Sequence, residues 1–366
     1  MRGISRTPSY VIMQPTTLCN LACDYCYLPD KATDQRMPIA VAEAVARTVN
    51  EWAAEAERFS VVWHAGEPLA AGRAHWAELM APFAGVEHHI QTNATLIDDA
   101  WCRFFAAHQV RVGVSIDGPR ELTAARVLRS HRPAYDRIVR GIDALRRNGL
   151  PFAALAVVTD PSPGRARALY ATAVELGCTV LGVNMEEQEG ANRRSNAFDP
   201  SAVRAFWGEL TEAWRADPRV EVREVEWALR YAGAVLAGDA DALLPRRHDP
   251  VPTIMHDGRV VVLSPELAGF ASPAHGDFAA GSVLARPLHD IVAEVADRPT
   301  GWVAEYLTGV EACRASCAYF GFCGGAHAAN RYFEHGRFDG TVTRHCRNSK
   351  ILLLEGVLDH ASTRAA

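Results

Sequence analysis

The sequence predicts an α/β protein that begins with a partial (β/α)6 TIM-like barrel and continues into helices and a loop-rich C-terminal region. Between residue 8 and about residue 186, six short β-rich runs alternate with longer helical patterns. Repeated βα units form a parallel sheet with right-handed crossovers. Six units fall short of the eight that close a barrel, so we expect an open one, with its functional end where strands run into the following loops.

The barrel elements can be assigned in chain order, and we place them in a first domain at residues 1–196. The strands are predicted at SYVIMQ, SVVWH, EHHIQTN, VRVGVSID, FAALAVV and TVLGVNM. The helices between them are predicted at PIAVAEAVARTVNEWAAEAERF, DDAWCRFFAAH, AYDRIVRGIDALRRNG and GRARALYATAVELG. Pro38 suits a first helical position, and Gly149 and Gly177 suit helix ends.

Two further regions follow the barrel. Residues 197–250 read as a helical bridge, with DPSAVRAFWGELTEAWRADP and VREVEWALRYAGAVLAG as helices and GDADALLPRRHDPVP as a linker. Residues 251–366 begin with a turn and a short strand, HDGRVVVLSPEL, and then become loop-rich. We expect this last part to form a separate small domain.

Composition and charge narrow the class of partner. A net charge of −5 argues against a nucleic-acid or anionic-membrane partner bound by bulk charge. The N-terminus has no apolar signal region, and no apolar run reaches the ~18 residues of a membrane span. We therefore expect a cytoplasmic protein that binds neither nucleic acid nor membrane.

Seven of the nine cysteines fall into two groups. The N-terminal cysteine set is Cys19, Cys23 and Cys26, and the C-terminal cysteine set is Cys313, Cys317, Cys323 and Cys346. In a chain without an export signal this distribution indicates metal binding rather than disulfides. The two remaining cysteines, Cys102 and Cys178, are expected to be small buried hydrophobic residues.

The N-terminal cysteine set is one ligand short of a closed tetrahedral site. Three thiolates can hold zinc with a fourth ligand from elsewhere. They can equally hold three irons of a [4Fe–4S] cluster and leave the fourth iron open. The set follows the first strand directly, at the functional end of the predicted barrel, and no second cysteine pair lies nearby, which favours the cluster.

The pattern C-x3-C-x-Tyr25-C resembles the signature of the radical S-adenosylmethionine (radical SAM) enzymes. The resemblance implies that S-adenosylmethionine itself chelates the open iron through its methionine amine and carboxylate. HAGEP (64–68), QTNATL (91–96) and SIDGP (115–119) end the next three strands and are similar to further motifs of that family. The cofactor-binding residues implied are Tyr25, Ala65, Gly66, Glu67, Asn93, Ser115, Asp117 and Arg126, with Arg129 as an alternative to Arg126.

The C-terminal cysteine set supplies four thiolates, enough to close a structural zinc site or a [4Fe–4S] cluster. Its spacing resembles the SPASM domain, an auxiliary iron–sulfur domain of radical SAM enzymes that modify peptides. A full SPASM domain carries seven cysteines and two clusters. Where that family has a further cysteine, this chain has His327. We expect one auxiliary cluster, fully ligated by protein, with a structural role or an electron-transfer role.

Three glutamates are the candidate catalytic residues. Glu187 and Glu189 follow the sixth strand, where a charged run is either a solvated loop or part of the site. Glu266 lies in LSPEL, where it is either an exposed strand-end residue or an acceptor for the substrate proton.

The segments around these glutamates, together with CAYFGFCGG, are similar to radical SAM/SPASM maturases that build cyclophanes in ribosomally made precursor peptides. That resemblance implies a C–C crosslink between an aromatic ring and a nearby β-carbon, with electrons from an external flavodoxin- or ferredoxin-type donor. The alternatives are thioether formation, formylglycine-type oxidation as in sulfatase maturation, and a non-catalytic iron–sulfur or zinc sensor.

Overall fold

A ten-stranded sheet organises the molecule, which a computed structural model describes over residues 3–244 and 247–362. The strands are β1 (Tyr10–Met13), β2 (Ser60–Trp63), β3 (Glu87–Thr92), β4 (Arg111–Ser115), β5 (Phe152–Val158), β6 (Val180–Met185), β7 (Glu221–Val222), β8 (Thr253–Ile254), β9 (Arg259–Val261), β10 (Ala271–Ser272), β11 (Gly276–Asp277) and β12 (Ala279–Ser282). The sheet order is β12-β9-β8-β1-β2-β3-β4-β5-β6-β7, and β10 pairs with β11 separately.

Helices cover the sheet and build the C-terminal region. They are α1 (Ile39–Glu55), α2 (Arg73–Met80), α3 (Asp99–Ala107), α4 (Tyr135–Arg147), α5 (Arg165–Leu176), α6 (Pro200–Ala216), α7 (Arg223–Ala237), α8 (Leu288–Asp297), α9 (Gly301–Ser316), α10 (Phe320–Cys323), α11 (Ala328–His335), α12 (Arg344–Cys346) and α13 (Leu352–Ser362). Short 3-10 turns occupy Pro68–Ala71, Leu122–Ala125, Ala240–Leu243 and Pro265–Leu267, and a π-helical turn occupies Arg347–Ile351.

The predicted partial barrel is confirmed. Strands β1 to β6 are parallel neighbours in chain order, and each is followed by a helix of the outer layer. Strand β5 alternates strictly between buried and half-buried residues, as expected when one face packs against helices and the other faces the barrel interior. Pro38 lies one position before α1 as its N-cap, and Gly177 ends α5 in the left-handed conformation, at φ 74°.

The sheet extends beyond the six predicted strands at both edges. Strand β7, within the predicted helical bridge, pairs with β6, and β8, within the predicted C-terminal domain, pairs in parallel with β1. An open barrel leaves an unpaired strand at each edge, and these short strands satisfy its backbone groups. The division at residues 196 and 250 remains a prediction.

The last helix returns to the bridge region. Helix α13 packs against α6, where a side chain on Gly356 would overlap the α6 backbone at Arg204. Of the linker GDADALLPRRHDPVP, Pro245 and Arg246 lie outside the described residues. None of the helices within the described ranges is long and apolar enough to cross a membrane. Cys102 and Cys178 are buried in the barrel core, as predicted.

Candidate active site

The carboxyl ends of the barrel strands open onto a cavity of about 250 Å³. Twelve of the predicted site residues line it: Cys19, Cys23, Tyr25, Cys26, Gly66, Glu67, Asn93, Ser115, Arg126, Glu187, Glu189 and Glu266. Ala65 lines an adjoining cavity of about 210 Å³, and Asp117 is buried behind Arg126. The structure thus brings residues from both halves of the chain to one place, and the C-terminal cysteine set lies outside it.

The loop that carries the N-terminal cysteine set is held by backbone hydrogen bonds on two sides. Cys19 N–H donates to Lys31 O at 2.9 Å, which closes the loop on itself. Ala22 N–H donates to Val127 O at 2.7 Å, which ties the loop to the segment after β4. These backbone hydrogen bonds hold the loop and its three cysteines at the cavity.

The thiols of this set fit a site for a cationic group. Burial raises the pKa of Cys19 to about 12, with Glu67 and the other two thiols adding to the effect. Burial also raises the pKa of Cys23, to about 11, although Arg126 opposes the shift. Three thiolates at one cavity wall repel one another, and bound irons would remove that repulsion.

The described residues contain no three His, Cys, Asp or Glu side chains placed as ligands of a single metal ion. A [4Fe–4S] cluster makes a different demand on the protein, because each thiolate binds a different iron.

Gly66 and Glu67 follow β2 and contact the cysteine loop and the end of β3. Gly66 has φ +62°, and a Cβ there would lie 2.5 Å from Thr16 O, so the motif needs glycine to pass beneath the cysteine loop. The Glu67 carboxylate accepts hydrogen bonds from Oγ1 of Thr92, the last residue of β3, at 2.6 Å and from the N–H of Asn93, which follows it, at 2.8 Å. Burial raises the pKa of Glu67 to about 6.

Ala65 and Ala94 stand where the radical SAM motifs that HAGEP and QTNATL resemble have glycine, and both adopt left-handed conformations. Ala65 has φ 73° and Ala94 has φ 60°, and both are buried. A Cβ makes this conformation unfavourable by roughly 1–2 kcal/mol. The strand ends therefore keep the backbone path of the motif although its residue type has changed.

Arg126 forms a buried ion pair with Asp117. Its Nε and Nη2 donate to the two carboxylate oxygens of Asp117 at 3.0 and 2.8 Å, and Tyr25 Oη donates to the same carboxylate at 2.6 Å. Burial opposes the charge of Arg126, but Asp117 outweighs it and raises the pKa of the guanidinium. Because Nε and Nη2 of Arg126 bind Asp117, only its Nη1 remains to bind a ligand in the cavity. Arg129 is exposed, and its Nη1 donates to Cys19 O at 3.4 Å.

Tyr27 and His64 are the two titratable cavity residues that sequence reasoning did not assign to the site. Tyr27 Oη lies 3.0 Å from His64 Nε2, and both side chains line the cavity. Burial, with Glu266 and Glu189 next in effect, raises the pKa of Tyr27 well above its usual range, and burial lowers the pKa of His64 to about 4. The available signal was adjacency, since Tyr27 follows Cys26 directly and His64 is the first residue of the HAGEP motif, two positions before Gly66.

The three glutamates form an acidic wall with unequal proton affinities. Burial disfavours the Glu187 anion, but His345 Nδ1 at 3.0 Å, with His327 and Asn330, lowers the pKa of Glu187 to about 2. Burial and the Glu187 charge raise the pKa of Glu189 well above its usual range, and they raise that of Glu266 to about 7. The three carboxyl groups therefore differ in their affinity for a proton, which is lowest at Glu187 and is raised at Glu189 and Glu266.

The C-terminal cysteine set converges from three helices and the turn between two of them. Cys313 lies near the end of α9, Cys317 caps that helix, and Cys323 and Cys346 end α10 and α12. Burial raises the pKa of Cys346 to about 12, and the other three thiols add to the shift. Gly325 N–H donates to Cys323 Sγ at 3.4 Å, a contact typical of a metal-bound thiolate. Four neighbouring thiols fit a closed cluster site.

Comparison with known proteins agrees with this geometry. A model of the Radical SAM superfamily matches residues 13–162. An uncharacterized protein of Synechocystis sp. is 32% identical over 354 residues, which cover 92% of this chain and 88% of the relative. The serine-type anaerobic sulfatase-maturating enzyme of Klebsiella aerogenes is 34% identical over 223 residues, which cover 58% of this chain and 54% of that enzyme.

Two solved structures share the fold over most of the chain. The native anSMEcpe structure with bound AdoMet superposes with a TM-score of 0.76 at 19% identity and covers 97% of each chain. Streptococcus suis SuiB bound to S-adenosylmethionine gives a TM-score of 0.66 at 17% identity and covers 94% of this chain and 78% of SuiB. Motifs, fold and sequence relatives agree, and the chain belongs to the radical SAM superfamily, whose enzymes use a [4Fe–4S] cluster and S-adenosylmethionine.

Proposed function

We propose that this enzyme modifies a ribosomally made precursor peptide by joining an aromatic ring carbon to the β-carbon of a nearby residue. The observation that carries the proposal is the division of the clustered cysteines into a set of three and a set of four. No clustered cysteine remains for a second auxiliary site, at which a substrate thiol would bind iron. A carbon radical that adds to an aromatic ring requires no such site.

The residues of the cavity divide the binding of the cofactors between them. The N-terminal cysteine set would ligate three irons of the cluster. When bound, the cluster and S-adenosylmethionine supply a 5′-deoxyadenosyl radical that removes a hydrogen atom from an unactivated carbon. Gly66 and Glu67 would hold the methionine amine, and Asn93 and Ser115 would face the rest of the cofactor. Arg126, oriented by Asp117, would direct its remaining amino group at the carboxylate.

Removal of the second hydrogen requires a proton acceptor and an electron acceptor, because C–C bond formation between two C–H carbons releases a proton and an electron as well as the abstracted hydrogen atom. An iron–sulfur cluster of the enzyme would take up the electron, and a side chain must take the proton. Glu266 suits this task. Its Oε2 is buried, makes no hydrogen bond with any described residue, and belongs to a carboxyl group with a pKa of about 7. Glu187 is paired with His345, and burial together with the Glu187 charge raises the pKa of Glu189 well above its usual range, which disfavours its ionised, proton-accepting form.

A second candidate function is the oxidation of a serine or cysteine side chain to an aldehyde. The sulfatase-maturating enzyme of Klebsiella aerogenes favours it, through 34% identity over 58% of this chain. The same Glu266 would then accept the hydroxyl or thiol proton of the substrate. The two reactions differ in which atoms of the peptide lose hydrogen.

The proposal also covers the auxiliary cluster, the electron donor and the cellular compartment. The C-terminal cysteine set would hold one [4Fe–4S] cluster in a SPASM-like domain at residues 251–366. An external flavodoxin- or ferredoxin-type protein would deliver electrons. None of the nine cysteines, all of which lie within the described residues, forms a disulfide. This suits a reducing compartment, and we place the enzyme in the cytoplasm.

Co-expression with the peptides encoded beside its gene tests the proposal. We expect a peptide that has lost two hydrogens, with fragmentation showing a bridge between an aromatic residue and a neighbour. The control is the chain in which the N-terminal cysteine set is replaced by alanine, which should leave the peptide unmodified. A carbonyl that reacts with hydrazide at a serine or cysteine would establish the second candidate instead, and a bridge to sulfur would establish a thioether.

A further inference from the structure

Arg331 is a completely buried cation beside the C-terminal cysteine set. It lies on α11 and is 0% exposed. Its Nη2 donates to Gly325 O at 2.6 Å, and its Nη1 donates to Phe338 O at 3.2 Å and Tyr306 O at 3.3 Å. These partners are neutral carbonyls that bond Nη1 and Nη2 and leave the charge of the guanidinium uncompensated, and the buried Nε has no hydrogen-bond partner among the described residues.

One contact of Arg331 points to a countercharge. Its Nη2 lies 3.4 Å from Cys313 Sγ. Within residues 3–244 and 247–362, no carboxylate forms an ion pair with this guanidinium. An unpaired buried charge costs several kcal/mol, so a fold that keeps one is expected to place an anion next to it. Cys313 is the contact that supplies this anion when its thiolate binds metal.

The surrounding backbone is shaped to hold this side chain. A Cβ on Gly309 of α9 would overlap Arg331 Nη1 and would lie 2.8 Å from Asp339 Cα. Gly325, whose carbonyl accepts from Nη2, has φ +113°, which side-chain-bearing residues rarely adopt. Two glycines therefore make room for the guanidinium and aim a carbonyl at it.

We propose that Arg331 is a positioning residue of the auxiliary cluster, whose charge it balances and whose reduction potential it raises. The inference rests on the four-cysteine cluster proposed above. Four thiolates and a [4Fe–4S] core carry net negative charge, and one-electron reduction adds one more unit. A fixed cation that bonds a ligand sulfur stabilises the reduced form more than the oxidised form.

The potential of the auxiliary cluster tests this role. All variants carry alanine at the N-terminal cysteine set, so that only the auxiliary cluster titrates in EPR-monitored reduction. Arg331→Met should lower the midpoint potential by at least 59 mV, a tenfold change in the one-electron equilibrium. Arg331→Lys, which keeps the charge, should restore most of that difference. Arg337→Met removes an exposed arginine of the same region, paired with Asp339, and should leave the potential unchanged.

Each outcome decides a separate point. An unchanged potential in Arg331→Met with full iron content overturns the inference and leaves the proposed cluster intact. If Arg331→Met takes up no iron, then iron uptake in Arg331→Lys supports the charge role, and loss of iron in both variants overturns it in favour of side-chain shape. A parent protein that binds zinc or no metal at this set removes the cluster proposal itself, and the inference with it.

Discussion

Replacing Glu266 by glutamine should uncouple hydrogen abstraction from product formation. The Glu266 carboxyl has a pKa of about 7, so about a tenth of it is ionised at pH 6 and about nine tenths at pH 8. Product formation in the native enzyme should therefore rise roughly tenfold across that range, because only the ionised form accepts a proton. Glutamine cannot accept it at any pH, and loss of a general base costs about 100- to 10,000-fold in rate.

The assay follows 5′-deoxyadenosine and modified peptide in the same single-turnover reaction. In Glu266→Gln the deoxyadenosine should persist while the peptide product falls and loses its pH dependence. Glu189→Gln is the matched control, because burial and the Glu187 charge disfavour the ionised form of Glu189 and the amide preserves its shape. Equal product yields in Glu266→Gln and the native enzyme, with an unchanged pH profile, would refute the role of Glu266.

Three further expectations concern the metal, the fold and its pH dependence. Anaerobically reconstituted protein should contain roughly eight irons, the sum of two four-iron clusters, and iron analysis giving about twelve would contradict the cysteine division. Gly66→Ala should lower the free energy of unfolding by at least ~2 kcal/mol, since the new Cβ meets Thr16 O at a left-handed φ, and an unchanged melting temperature would count against this packing. Folding lowers the pKa of Glu187 from 4.5 to about 2, so this residue should stabilise the fold above pH 4.5 and lose that contribution as the pH drops through 2. Glu187→Gln should flatten the plot of unfolding free energy against pH in this range, as measured by acid unfolding.

The barrel was predictable because its elements are long and periodic. Strand β5 and helix α1 each contain enough residues for their apolar spacing to identify them. Strands β7 and β8 contain two residues each and have no periodicity to detect. Their pairing with β6 and β1 depends on the open edges of the barrel, which exist only once the sheet is assembled.

The positions of the candidate site residues followed from motif spacing, whereas their partners did not. The carboxyl ends of the barrel strands surround the cavity, so a motif at a strand end places its residues there. Glu67 and Cys19 were therefore identifiable from sequence. The contacts of Glu187 with His345 and Asn330 join residues far apart in the chain and arise from packing between the barrel mouth and the C-terminal helices. That packing decides which glutamate is free to accept a proton.

The ion pair between Arg126 and Asp117 is a second feature that the sequence could not show. The sequence offered Arg126 as a candidate for binding the cofactor carboxylate, with Arg129 as an alternative. Only the fold shows that Arg126 is buried at the cavity and paired with Asp117, while Arg129 is exposed and holds the cysteine loop. Which side chains face the same space depends on loop paths that carry no local signal.

Isotope transfer tests the central claim most directly. A precursor peptide is labelled with deuterium at the β-carbon of the residue beside its aromatic residue and incubated with the reconstituted enzyme and S-adenosylmethionine. The account predicts that deuterium appears in 5′-deoxyadenosine and that the recovered peptide contains a bond from that β-carbon to the aromatic ring. Unlabelled 5′-deoxyadenosine, or a loss of two hydrogens that survives replacement of every aromatic residue in the peptide, would contradict it.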